Sequence, residues 1–299
     1  MSFNDDARLD TSQVSSGGGG GLGGGLGKIG GGVGGIILLL VGAYFGVDLS
    51  GITDGGSGSS QTTPGTQSTL ATKCRTGADA NKDAECRVVG TVNSVQDFWA
   101  DALPKQAGVQ YEQAQLVDYH GRTQSACGTA SNAVGPFYCP TDRKVYVDPS
   151  FFDELTTRFG ADDGALAQEY VVAHEYGHHV QDLLGVHGAA QQDPQGAESG
   201  SVRIELMADC LAGVWAHGAA TTQDASGHTY LQPLTTTDIQ SALSAAAAVG
   251  DDHIQQQAQG GVNQDTWTHG SSAERQRWFT RGYRSGSLDQ CDTLHASSL

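Results

Sequence analysis

Positive charge is scarce in this 299-residue chain, in which 16 lysines and arginines face 33 aspartates and glutamates for a net charge of −17. Such a chain repels a phosphate backbone instead of displacing its counterions, which argues against nucleic acid as a partner. No C-x-x-C pair occurs among the six cysteines, at 74, 86, 127, 139, 210 and 291, so zinc-ribbon and thioredoxin-like readings fall away. An even number of scattered cysteines points instead to disulfides and an oxidising compartment. Short loops favour Cys74 with Cys86 and Cys127 with Cys139, leaving Cys210 for Cys291. The 43 glycines follow no G-x-Y period and concentrate before residue 60.

Charge is also missing from Ile29 to Val47, nineteen residues that can just cross a hydrocarbon core at about 1.5 Å per residue. A cleaved signal peptide fits less well, because the stretch ahead of the apolar run is long and no A-x-A site follows. The sequence therefore predicts a disordered glycine-rich tail over 1–28, a transmembrane helix over 29–47, a flexible linker over 48–71 and one globular domain over 72–299. Arg8 and Lys28 precede the apolar stretch, and no basic residue follows it until Lys73. The expected topology is single-pass, with the N-terminus cytoplasmic and the domain extracytoplasmic.

Within the domain, apolar residues at 92, 95, 98, 99 and 103 predict a helix that stops at Pro104. Lys144 to Asp148 reads as a short strand, at a sheet edge. A helix opened by Asp162 or Asp163 carries Leu166, Tyr170, Ala173 and Gly177 on one stripe and ends at Gly185. Two more follow, over about 201–217 and an alanine-rich stretch of about 237–249 opened by Thr237 or Asp238. The fold class implied is α+β, mainly helical, with a small sheet.

The helix ending at Gly185 contains His174, Glu175 and His178 in the pattern H-E-x-x-H. Residues i and i+4 stand one turn apart on the same face, so both imidazoles can reach one zinc ion at about 2.0–2.1 Å. Glu175, beside the first ligand, is placed to take a proton from water. His179 is rotated by about 100° and cannot share that ion. Gly177 costs about 1 kcal/mol inside a helix relative to alanine, which predicts another segment passing close over the site.

Two imidazoles need a third protein ligand. The extension H-E-x-x-H-x-x-G-x-x-H fails, since Gln181 and Leu184 occupy its last two fixed positions. Downstream, "RIELMADCLAGVWA" places Glu205 and Asp209 one turn apart beside an apolar stripe. Glu205 as ligand, with Asp209 fixing a ligand imidazole, is the economical arrangement; the roles can be exchanged, and Glu198 is a weaker candidate. His269 and Arg275, in the most basic stretch of the chain, are candidate donors to an oxyanion. Tyr146 reads as a core residue that could otherwise line a substrate groove.

Through "GPFYCPTDRKVYVD", "AHEYGHHVQ", "ELMADCLAGVWA", "THGSSAERQRWF" and "GYRSGSLDQCDT", the chain resembles the neutral zinc metallopeptidases, bacterial proteins with a glycine-rich N-terminus and one membrane span. That resemblance implies a gluzincin-like, zincin-type domain holding one zinc ion on His174, His178 and Glu205, with Glu175 as general base and a peptide or protein as substrate. The expectation is a membrane-tethered zinc endopeptidase; the alternative is a catalytically inactive, zinc-stabilised binding module at the cell surface. Acidic residues flanking the motif, Asp162, Asp163, Glu169 and Asp182, argue against an intramembrane protease.

Overall fold

The computed structural model describes residues 3–17, 66–131 and 135–299, and the expected span over 29–47 lies outside them. Its elements in chain order are β1 (Val14–Ser16), α1 (Thr66–Lys73), α2 (Gly77–Ala80), α3 (Ala84–Ala107), β2 (Gln115–Asp118), β3 (Arg122–Ser125), β4 (Gly128–Ser131), β5 (Phe137–Cys139) and β6 (Lys144–Val147). Then follow α4 (Phe151–Thr157), α5 (Ala165–Leu184), α6 (Gly188–Gln192), α7 (Gly200–Gly218), α8 (Thr236–Ala248), α9 (Asp251–Gln259) and α10 (Ser272–Ser285). The architecture is α+β and mainly helical. A mixed four-stranded sheet runs β1-β2-β6-β5, and β3 and β4 form a separate hairpin. No helix of the described residues is long and apolar enough to cross a membrane.

Residues 3–17 depart from the expected disorder. Phe3, Ala7 and Val14 are fully buried, and Val14–Ser16 pairs in parallel with Leu116–Asp118. The disorder expectation rested on the glycine run that follows; the preceding residues carry enough apolar and hydrogen-bonding side chains to dock. Residues 18–28 and 48–65 lie outside the described set, whereas 66–71 belong to α1, so the folded domain starts before residue 72.

Helix α3 begins eight residues before the predicted stretch, because Asp83 accepts a hydrogen bond from the Cys86 amide as its N-cap. Pro104 does not stop it. It sits in the last turn, and the helix closes at Gly108 with φ of 70°. Strand β6 is internal, correcting the edge expectation: it pairs in parallel with β2 and antiparallel with β5, and Val145, Tyr146 and Val147 are all buried. Tyr146 is a core residue, stacked on Phe137 with ring centroids 4.9 Å apart.

Helix α5 starts after Gly164 and not at an aspartate cap; a Cβ at 164 would lie 2.4 Å from Cβ of Ser241 on α8, so the cap position itself has no room for a side chain. Helix α8 opens on a capping box between Thr235 and Asp238, one turn earlier than Asp238 itself would place the cap. Three disulfides join Cys74 to Cys86, Cys127 to Cys139 and Cys210 to Cys291. The last ties α7 to the C-terminal segment. Helices α7 and α10 touch backbone to backbone: a Cβ at Gly213 would lie 2.1 Å from the Phe279 carbonyl oxygen, and one at Gly282 only 1.9 Å from that of Cys210.

Candidate metal centre

The site is built where α5 and α7 cross. At the crossing, a Cβ on Gly177 would stand 3.0 Å from the Ala208 carbonyl oxygen and 3.1 Å from its Cα, the close approach that the costly glycine predicted. Beside this crossing, His174 and His178, one turn apart on α5, face Glu205 on α7. His174 Nε2 lies 3.2 Å from Glu205 Oε2, and His178 Nε2 lies 3.4 Å from Oε1. All three side chains are buried, with ligand atoms within 4.8 Å of one another. Among the described residues the other grouping of this kind, Cys74, Asp83 and Cys86, has both sulfurs in a disulfide.

The outer nitrogens of both imidazoles are engaged, which turns Nε2 inward. His174 Nδ1 lies 2.8 Å from Asp209 Oδ1, and a carboxylate can only accept, so Nδ1 carries the proton. His178 Nδ1 lies 2.8 Å from Gln181 Oε1. The Gln181 amide is oriented by its own Nε2, which donates to the Ile204 carbonyl at 2.6 Å and leaves Oε1 facing the ring. Two Nε2 lone pairs and a carboxylate converging on one point form a donor set that fits zinc, with each imidazole oriented by a hydrogen bond behind it.

Asp209 is not part of that converging set. It sits behind His174, fully buried, and takes Arg275 Nε on Oδ2 at 2.8 Å and Arg275 Nη2 on Oδ1 at 2.9 Å. Tyr170, one turn before His174, donates its hydroxyl to the same carboxylate. Arg275 Nη1 goes to the Val249 carbonyl at 3.1 Å. Every arm of the guanidinium is thus committed inside the protein, a geometry that holds Asp209 and departs from the expected oxyanion donor. Glu198 is exposed in the loop before α7, away from the cluster.

Electrostatics follow from burial against pairing. Burial opposes charge on Glu205, but His178 and His174 outweigh it and hold the carboxyl well below its ordinary range. Asp209 is likewise held down against its burial by Arg275 and His174. Without a metal the His174 imidazole, despite burial, is pushed up to about 10, mainly by Asp209. Glu175, 7% exposed, shifts upward: burial dominates and the two imidazoles only partly offset it. The backbone N–H of Tyr138 on β5 donates to its carboxylate, so the outermost strand of the sheet flanks the general-base candidate.

His269 lies near enough for the Glu205 charge to act on it. Its Nδ1 is 3.2 Å from Asp251 Oδ1 and 2.9 Å from Thr268 Oγ1. Asp251 Oδ2 accepts the backbone N–H groups of Thr268, His269 and Gly270 at 2.8, 2.6 and 3.0 Å, so one carboxylate shapes the loop and holds the ring it carries. Burial works against the imidazolium, and the Asp251 bond and charge overcome it to raise the pKa. His179 points away from the cluster: Nε2 donates to the Glu112 carbonyl at 2.6 Å and Nδ1 meets the Tyr138 hydroxyl at 3.1 Å.

Residues 4–294 match the family described as "Putative neutral zinc metallopeptidase". The chain belongs to this family. Two similar proteins carry no described activity. The uncharacterized protein Rv2575 of Mycobacterium tuberculosis (strain ATCC 25618 / H37Rv) is 55% identical over 228 residues, 76% of each chain. The uncharacterized protein YpfJ of Escherichia coli K12 is 42% identical over 307 residues, 99% of this chain and 97% of its own. No solved structure matches. Membership in the neutral zinc metallopeptidase family and the buried His174, His178 and Glu205 cluster are mutually consistent with a zinc site.

Gln181, Tyr170 and Asp251 escaped the sequence reading as site-building residues. The first two had a signal, standing at i+3 from His178 and i−4 from His174 on the same helix. Asp251 had none, because the loop that brings His269 onto it is a tertiary arrangement.

Proposed function

We propose that the chain is a zinc-dependent endopeptidase with one zinc ion on His174, His178 and Glu205 and Glu175 as its general base. The observation that carries this reading is the convergence of both Nε2 atoms on Glu205, with the buried, upward-shifted Glu175 carboxyl one residue from the first imidazole. When bound, zinc supplies Lewis acidity toward a scissile carbonyl and acidifies the attacking water. Glu175 takes the proton of that water and passes it to the leaving amine, a task suited to a carboxyl whose pKa lies above its ordinary value. His269, held by Asp251, donates to the carbonyl oxygen as negative charge develops there. Asp209, fixed by Arg275 and Tyr170, keeps His174 in the Nδ1–H tautomer, and Gln181 does the same for His178. Arg275 acts through Asp209.

An extended peptide laid along the outer edge of β5 would pass beside Glu175, whose carboxylate already accepts the Tyr138 N–H. The three disulfides support an extracytoplasmic domain. The apolar stretch over 29–47 supplies membrane attachment in this reading.

The test compares full-length wild type with Glu175→Gln for zinc content and for cleavage of an unfolded protein. The variant should retain about one zinc per chain and lose cleavage by roughly 10²–10⁴-fold. Equal cleavage by both, or none by either with zinc in place, would overturn the peptidase reading; the second outcome returns the zinc-stabilised binding module.

A further inference from the structure

The domain carries a built groove for the backbone of residues 3–17. Asn81 grips Phe3 from both sides of its peptide unit: Oδ1 accepts the Phe3 N–H at 2.8 Å and Nδ2 donates to the Phe3 carbonyl at 3.0 Å. Asn93, fully buried, repeats this at Asp10, with its Oδ1 accepting at 2.8 Å and its Nδ2 donating at 3.0 Å. Between them, Asp224 Oδ2 accepts the Arg8 N–H at 2.7 Å, the Asn4 N–H reaches the Tyr230 carbonyl at 2.8 Å, and Leu9 N–H reaches that of Arg75 at 3.0 Å. The Phe3 ring lies against Gly90, where a Cβ would stand 2.5 Å from it. Val14–Ser16 then completes the sheet beside β2.

These contacts come from segments far apart in sequence, around 75–96, 116–118 and 224–231, and together they hold the backbone of residues 3–17 at both ends and in the middle. A buried amide left without such a partner is costly, so the groove and the strand are matched parts of one fold. The family match begins at residue 4, and the Escherichia coli relative aligns with 99% of the chain, so both comparisons run through this strand.

This arrangement cannot coexist with the single-pass topology read from the sequence, which puts residues 3–17 and the domain on opposite faces of a membrane. We propose that residues 3–17 share the compartment of residues 66–299, so that the chain leaves the domain at Gly17 and re-enters it at Thr66 on the same side. The positive-inside signal opposing this is small, since Arg8 and Lys28 are the two basic residues ahead of the apolar stretch. The proposal is independent of the peptidase reading and needs only the fold.

Single cysteines test it in the full chain, because all six native cysteines are paired. Ser12→Cys places a thiol on the exposed side of the docked segment, in the turn before β1, and Gln256→Cys places one on the exposed surface of the domain. Cells producing each variant are treated with a membrane-impermeant maleimide before and after the membrane is opened with detergent. Matched labelling of the two positions before opening supports the proposal. Labelling of both only after opening also supports the shared side, while refuting the extracytoplasmic placement. Labelling of Gln256→Cys before opening and of Ser12→Cys only afterwards overturns it.

A second measurement guards against a strand that is loosened by the label. Arg8 and Thr76 form an antiparallel pair flanked by the Leu9-to-Arg75 and Gly77-to-Ala7 backbone bonds, which makes them a closely spaced, non-hydrogen-bonded pair suited to a disulfide. Arg8→Cys with Thr76→Cys should yield a cross-linked peptide joining residues 8 and 76 in most of the protein purified without reductant. Its absence, with both thiols free or paired elsewhere, overturns the proposal.

Discussion

Gln181 Oε1 stands 2.8 Å from His178 Nδ1, and its amide is locked by a 2.6 Å bond to the Ile204 carbonyl on the neighbouring ligand helix. The same residue occupies the position where the extended three-histidine motif needs glycine, so here the motif's failure at 181 is a different device for holding the second imidazole. Gln181→Leu should keep the helix but release the His178 ring. We expect zinc affinity to fall by about 10–100-fold, with a smaller loss of activity at saturating zinc. Competition with a chromophoric chelator measures this; an unchanged affinity would remove Gln181 from the site.

His269 and Asp251 predict a separable effect. His269→Ala should lower kcat by roughly 10²–10³-fold while leaving zinc content and KM nearly unchanged, the pattern of a donor that acts only in the transition state. Asp251→Asn removes the charge that raises the His269 pKa. The alkaline limb of the kcat/KM profile should therefore move to lower pH, since the imidazole loses its proton earlier. A thermal melt on each variant separates this from loss of the loop.

The H-E-x-x-H pair was legible because its spacing is a property of one helix, and Glu205 because an acid beside an apolar stripe needs a reason. Long-range geometry was not legible. Arg275 looked like a free cation in a basic stretch, yet the backbone contact of α7 with α10 through Gly213 and Gly282 brings it under Asp209. The three-residue β5 is too short for any alternation to register, so the edge was assigned to its longer neighbour β6. Residues 3–17 adjoin a glycine run that masks them in the sequence, and their docking depends on Asn81, Asn93 and Asp224, which carry no local signal.

The same helix contact makes a stability prediction. A side chain at 282 has nowhere to go, because its Cβ would meet the backbone oxygen of Cys210, an atom fixed by the helix and by the Cys210–Cys291 disulfide. Gly282→Val should cost about 2–4 kcal/mol through overpacking and displaced backbone. Arg275 would shift from Asp209 in consequence. Denaturant unfolding should show a lower midpoint together with weaker zinc retention; an unchanged midpoint would mean that the helices do not touch there.

Proton competition at His174 gives the pH prediction. In the metal-free chain its pKa stands at about 10, so near neutral pH the ring is an imidazolium between Asp209 and Glu205. Zinc requires the neutral ring, and binding must expel that proton. Affinity should rise about tenfold per pH unit from roughly pH 7 to 9 in the simplest one-proton case. Calorimetry in two buffers of different ionisation heat should report about one proton released per zinc. The stability terms run in opposite directions. His174, raised in the fold, stabilises the metal-free protein fully below its ordinary 6.5, and this contribution is lost as pH climbs through about 10. Glu205 and Asp209, lowered in the fold, contribute above their ordinary 4.5 and 3.8 and lose that contribution as pH falls. The rise in Tm on adding zinc should therefore widen between about pH 6 and 9, as the metal-free protein weakens and the metal binds more tightly. An affinity flat across that range would show that His174 is already neutral and that Asp209 serves only to orient it.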